Sequence, residues 1–113
     1  MGNFFDIHCH VVPGIDDGSA NLAESIVMAQ TAVEDGTTSV IATPHQLGTN
    51  GHVSPEIIRD GVRSLQTAID AEEIPVVVRS GADVRIDPEL PKLLKQGKVL
   101  TLADHGRHVL LEL

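Results

Sequence analysis

Apolar residues recur along this chain in two alternating patterns, and the alternation predicts its elements. Phe4 to His8 is a short, mostly apolar run that stops at Cys9-His10. Leu22, Ile26, Ala29 and Val33 follow at helical spacing, with Asn21 as N-cap, Glu24 as its capping-box partner and Gly36 as the stop. Thr38 to Ala42 is a β-branched run ending in Thr43-Pro44-His45. Ser54-Pro55 starts a second helix, in which Ile58, Val62, Leu65 and Ile69 repeat the spacing despite an interior Gly61. Val76-Val77-Val78 then closes at Ser80-Gly81, Pro88 to Gln96 reads as a short helix stopped by Gly97, and Val109 to Leu113 is apolar except for Glu112.

The order is strand, helix, strand, helix, strand, helix, strand. Apolar strands between amphipathic helices predict an α/β fold with a parallel sheet covered by helices. With 113 residues the chain suits one domain, and it shows no repeat or linker. Gln46 to Val53 is its longest irregular stretch, placed to form the rim of a pocket.

Each predicted strand ends in a side chain able to bind a metal: His8 and His10, then His45, then Asp83, then Glu112. Active sites of parallel α/β sheets lie at the carboxyl ends of the strands. Strands about 4.8 Å apart can bring such groups together. Residues i and i+2 of a strand share a face, so His8 and His10 can hold one ion or a close pair, while Cys9 points to the helix layer. Asp16-Asp17-Gly18 has the composition of a turn, yet Asp17 is a credible further ligand. Mixed imidazole and carboxylate donors suit Mn, Fe or Zn, whereas all-oxygen sets suit Mg or Ca. His52, His105 and His108 read as surface residues. A cysteine-dependent phosphatase would need Arg six residues after Cys9, where Ile15 stands.

Charge sharpens this picture. No Lys or Arg precedes Arg59, and the first 58 residues hold seven acids and four histidines. From residue 59 on, eight bases face nine acids, so most of the net charge of −8 lies in front. That surface repels nucleic acid and anionic lipid but suits cations. One cysteine, no secretory signal and no membrane-spanning run point to the cytoplasm.

The strings Asp6-Ile7-His8-Cys9-His10, Pro13-Gly14-Ile15-Asp16-Asp17-Gly18 and Ala42-Thr43-Pro44-His45 resemble the PHP (polymerase and histidinol phosphatase) superfamily. Within it they are most similar to the manganese-dependent tyrosine phosphatases of capsule and exopolysaccharide gene clusters. The resemblance extends through Gly81-Ala82-Asp83-Val84-Arg85-Ile86 to Leu111-Glu112. It implies a distorted (βα) barrel with up to three ions in the complete domain, Mn first, with Fe, Zn or Mg as alternatives. His8, His10, Asp17, His45, Asp83 and Glu112 match the family's front-half ligands. Asp83 stands where the family commonly has Glu, and Gln46-Leu47 where it often has basic residues, which leaves the phosphate anchor to Arg85 or to groups in the other half of the domain.

A complete barrel needs roughly 250 residues, so residues 1–113 read as the N-terminal, truncated part of one PHP domain of about four strands. The function implied for the parent is phosphomonoester hydrolysis, with a phosphotyrosine protein, a bacterial tyrosine kinase, as substrate. Two alternatives stand beside it: a PHP esterase for a small metabolite such as histidinol phosphate, and a non-catalytic half-barrel that binds metal. An open strand edge predicts self-association of the truncated chain, as a dimer with very low turnover.

Overall fold

A computed structural model describes residues 3–113. Its elements are β1 (Phe4–Cys9), α1 (Leu22–Glu34), β2 (Thr37–Ala42), β3 (His45–Gln46), α2 (Pro55–Ala71), β4 (Val77–Ser80), β5 (Asp83–Arg85), α3 (Leu90–Lys95) and β6 (Leu110–Glu112), with a 3₁₀ turn at Leu102–Asp104. The strands form two three-stranded parallel sheets, ordered β1-β2-β4 and β3-β5-β6.

The sequence predicts four strands; the middle two are each broken in two. Pro44 has no N–H to give a ladder, so the second run divides into β2 and β3 around Thr43-Pro44. The Pro44 carbonyl still accepts from the Asp83 N–H at 2.9 Å, which carries the pairing across the break. The third run divides at Gly81, where a Cβ would stand 2.8 Å from Ile41 Cγ2. Each break hands the chain from the first sheet to the second.

Local chemistry explains the helices. The Asn21 side chain accepts from the Glu24 N–H at 3.0 Å, as a cap should. Glu24 reaches back to the Ala20 N–H instead of that of Asn21, one residue off the box that the spacing predicts. Ser54 caps α2 through the Ile57 N–H, behind Pro55. The apolar stripe Ile58, Val62, Leu65 and Ile69 is buried in one core with Val40 of β2, Val78 of β4 and Val76 just before β4.

Gly61 has a packing reason: a Cβ there would lie 2.6 Å from Val12 Cγ1 and 3.2 Å from Ile15 Cδ1. The glycine lets the loop after β1 press against α2. Ser25 of α1 fixes the same loop from the other side, donating to the Val11 carbonyl and bonding the Ser19 hydroxyl.

The helices cover one face of the first sheet only. Phe5, Ile7 and Val77 are exposed on the other, and Phe4 is exposed too. The expectation of a covered sheet therefore fails for β1, because apolar character does not say whether a neighbour is there to cover it.

Candidate metal centre

The second sheet and the end of the first carry the chemistry. His45 and Asp83 are direct partners in the parallel ladder between β3 and β5, and Arg85 partners Glu112 between β5 and β6. His8 and His10 arrive from the end of β1. Thr43 ties that end in place, accepting from the Cys9 N–H through its hydroxyl at 3.0 Å and donating its own N–H to the Cys9 carbonyl at 2.8 Å.

Three imidazoles converge on one buried carboxylate. Asp83 Oδ2 lies 3.4 Å from His8 Nε2, 3.6 Å from His10 Nε2 and 3.5 Å from His45 Nδ1. His45 Nδ1 is also 3.5 Å from Glu112 Oε2, and its Nε2 is 3.3 Å from Asp17 Oδ1. The two Nε2 atoms of His8 and His10 stand 3.3 Å apart. Three overlapping donor groups result: His10, Asp16, Asp17 and His45; His8, His10 and Asp83; His45, Asp83 and Glu112. All six residues that the sequence singles out as ligands thus lie in one cluster.

These separations fit donors around shared ions. Good hydrogen bonds to oxygen run at about 2.7–3.2 Å. Donors held at about 2.0–2.2 Å from one ion stand about 2.8–3.6 Å apart in tetrahedral or octahedral geometry. The contacts to Asp83 fall at the upper end of the second range and beyond the first. A buried carboxylate is costly without a compensating cation, and no lysine or arginine is paired with Asp83 among the described residues. The donor set therefore fits first-row divalent ions.

Asp17 is mostly exposed and meets the cluster at its edge, closest to His45 and within 4.8 Å of donor atoms of His10 and Asp16. Arg85 is exposed, and its guanidinium donates to the Leu113 carbonyl at 2.8 Å. It lines a cleft of about 470 Å³ with His45, Glu112 and Leu47 to Asn50, so the irregular stretch does form a pocket rim. Gln46 is buried and structural: it donates to the Val53 carbonyl and accepts from the Leu100 N–H, both at 2.9 Å. His52, His105 and His108 are exposed, as predicted.

Sequence reading missed Asp16, whose side chain is 1 % exposed. Its Oδ2 accepts from His10 Nδ1 at 2.9 Å and from the His45 N–H at 3.0 Å, and its Oδ1 from the Gly18 N–H at 2.9 Å. Burial alone would raise its pKa, but these hydrogen bonds outweigh burial and hold the carboxyl below its ordinary value. An acid two residues before Gly reads as a turn; only the fold shows what else the carboxylate holds.

Cys9 is half-buried, and burial, helped by the charge of Asp6, pushes its thiol up to about 11. A thiol neutral at physiological pH is a poor nucleophile. For the metal-dependent phosphatase that the sequence resemblance implies, Cys9→Ser should therefore leave turnover within about twofold; steady-state kinetics on a phosphotyrosine peptide measure it, and loss of activity in a folded variant would contradict it.

Fold and site together describe a parallel α/β protein with a candidate multi-ion centre of imidazoles and carboxylates at its strand ends. The family model for capsular polysaccharide synthesis proteins of the CpsB/CapC type matches residues 4–113, and the chain belongs to that family. The tyrosine-protein phosphatase YwqE of Bacillus subtilis is 36% identical over 107 residues, which are 95% of this chain and 42% of the relative. The putative tyrosine-protein phosphatase CapC of Staphylococcus aureus is 23% identical over the same length. A crystal structure from work on YwqE and on CpsB of Streptococcus pneumoniae, described as metal-dependent tyrosine phosphatases, superposes with a TM-score of 0.91 at 35% identity. That match covers 96% of this chain and 43% of the other. The chain thus spans less than half the length of these relatives.

Proposed function

We propose that the chain forms the front part of a PHP-type barrel that hydrolyses phosphomonoesters, with phosphotyrosine in a protein as the substrate. The observation that carries this reading is the convergence of His8, His10 and His45 on Asp83, in a chain whose matched relatives are named tyrosine phosphatases. His8 and His10 would hold one ion, Asp17 and His45 another, with Asp83 and Glu112 bridging or completing the shell. Mn is the proposed ion, and up to three ions are proposed for the complete domain. Bound divalent ions supply Lewis-acid polarisation of phosphoryl oxygens and an acidified water as nucleophile.

The chain's own residues would do the positioning. Arg85, on the wall of the cleft beside His45, would hold phosphate oxygens through its planar fork. Leu47 to Asn50 would shape the opposite wall. The front-half acidity would be balanced by ions. The proposed role is cytoplasmic control of capsule or exopolysaccharide synthesis, through a bacterial tyrosine kinase as substrate.

The chain alone would pair with a second copy: Phe4, Phe5 and Ile7 on β1, with Leu111 and Leu113 at β6, leave both outer strands apolar and exposed. Sedimentation of the 113-residue chain as a stable monomer would contradict that pairing. Turnover of a phosphotyrosine peptide, with and without EDTA, tests the activity. The complete domain should be active with Mn and lose activity to the chelator, and the 113-residue chain should turn over very slowly. Activity indifferent to EDTA would contradict the metal reading.

A further inference from the structure

We propose that Asp16 is a positioning residue that sets His10 and His45 together and is not itself a metal ligand. The inference rests on the metal reading of the site, and its geometry is separate from it. The Asp16 contacts are shorter than those to Asp83: His10 Nδ1 to Asp16 Oδ2 is 2.9 Å, a hydrogen bond, whereas the contacts to Asp83 are 3.4–3.6 Å. Both Asp16 oxygens are engaged, by three donors, and the side chain is closed to solvent.

The consequence is a defined tautomer. An ionised carboxylate only accepts, so Nδ1 of a neutral His10 must carry the proton. Its Nε2 lone pair then points toward His8 Nε2 and Asp83, the place where an ion would sit. A carboxylate behind a ligating imidazole orients the ring and raises its basicity. Asp16 adds a second grip: the same Oδ2 holds the backbone N–H of His45. One buried oxygen therefore fixes two candidate ligands that come from different strands. Asp17, next in the chain, faces solvent and His45 and keeps the role of candidate ligand.

Long-range ¹H–¹⁵N spectra of the ion-free 113-residue chain at pH 8.5 test the assignment, because they report the imidazole tautomer without metal or turnover. His10 should appear as the Nδ1–H form. Asp16→Ala should release it to the Nε2–H form or a mixture, while Asp16→Asn, which keeps one oxygen, should retain it. Titration with Zn²⁺ then separates positioning from ligation. Asp16→Ala should bind the same number of ions about 10–100-fold more weakly, whereas Asp17→Asn should lose an ion. An Nε2–H or mixed His10 in the unmodified chain would overturn the proposal, and that result does not depend on how any variant folds. Loss of an ion from Asp16→Ala would overturn it too, by making Asp16 a ligand. Absence of Zn²⁺ binding to the unmodified chain would sink the metal reading alone, leaving the tautomer to decide the positioning of His10.

Discussion

Asp83→Ala should reduce turnover by the complete domain on the order of 10³-fold or more, beyond the 10–100-fold that outer partners of a metal site typically contribute. Among the described residues its carboxylate lies within 3.6 Å of all three imidazoles, so removing it would take a donor from two of the three candidate groups. The effect on stability has a distinctive form. An ion bound only by the folded state, at 100 times its Kd, stabilises by about 2.7 kcal/mol. Thermal unfolding of the unmodified chain should therefore move upward with added Mn, and that of Asp83→Ala should not. Without ions the two should differ much less, since the variant also removes a buried charge that lacks a strong cation partner. Equal Mn-dependent shifts in both proteins would show that Asp83 holds no ion.

Gly18→Val should be the most damaging change in the loop after β1. A Cβ at Gly18 would stand 2.5 Å from His10 Cβ and closer still to the His10 carbonyl oxygen, so backbone must move. That carbonyl also accepts from the Ser19 N–H, and the Gly18 N–H itself donates to Asp16. Overpacking of this kind costs about 1–3 kcal/mol, and here the displaced atoms are those that carry His10 and Asp16. Chemical denaturation should show that loss of stability, and Zn²⁺ binding should weaken even in molecules that remain folded. Unchanged stability and unchanged Zn²⁺ affinity together would contradict the close approach of Gly18 to His10.

Why some of this could be read from the sequence, and some not, follows from the physics of each residue. His8, His10, His45, Asp83 and Glu112 stood out because each interrupts an apolar run at its carboxyl end, and parallel sheets gather those ends. The helices were legible because Asn21 and Ser54 announce their own starts. Asp16 was not legible: its partners His10 and His45 lie 6 and 29 positions away in the chain. The division of the middle strands depends on Pro44 lacking an N–H and on the crowding of Gly81 against Ile41. A run of β-branched residues carries no sign of that. The exposure of Phe4, Phe5 and Ile7 escaped for a related reason, since apolar composition names what could be buried but not what lies opposite.

Anomalous scattering from crystals of the 113-residue chain grown with Mn²⁺ tests the central claim most directly. Peaks should appear among His8, His10, His45 and Asp83, with the ligating nitrogen and oxygen atoms about 2.0–2.2 Å away. His10 should be bound through Nε2, with Asp16 still hydrogen-bonded behind it. A map with no Mn²⁺ at these side chains, or with Mn²⁺ only on scattered surface acids, would contradict the claim that the strand ends form a metal centre.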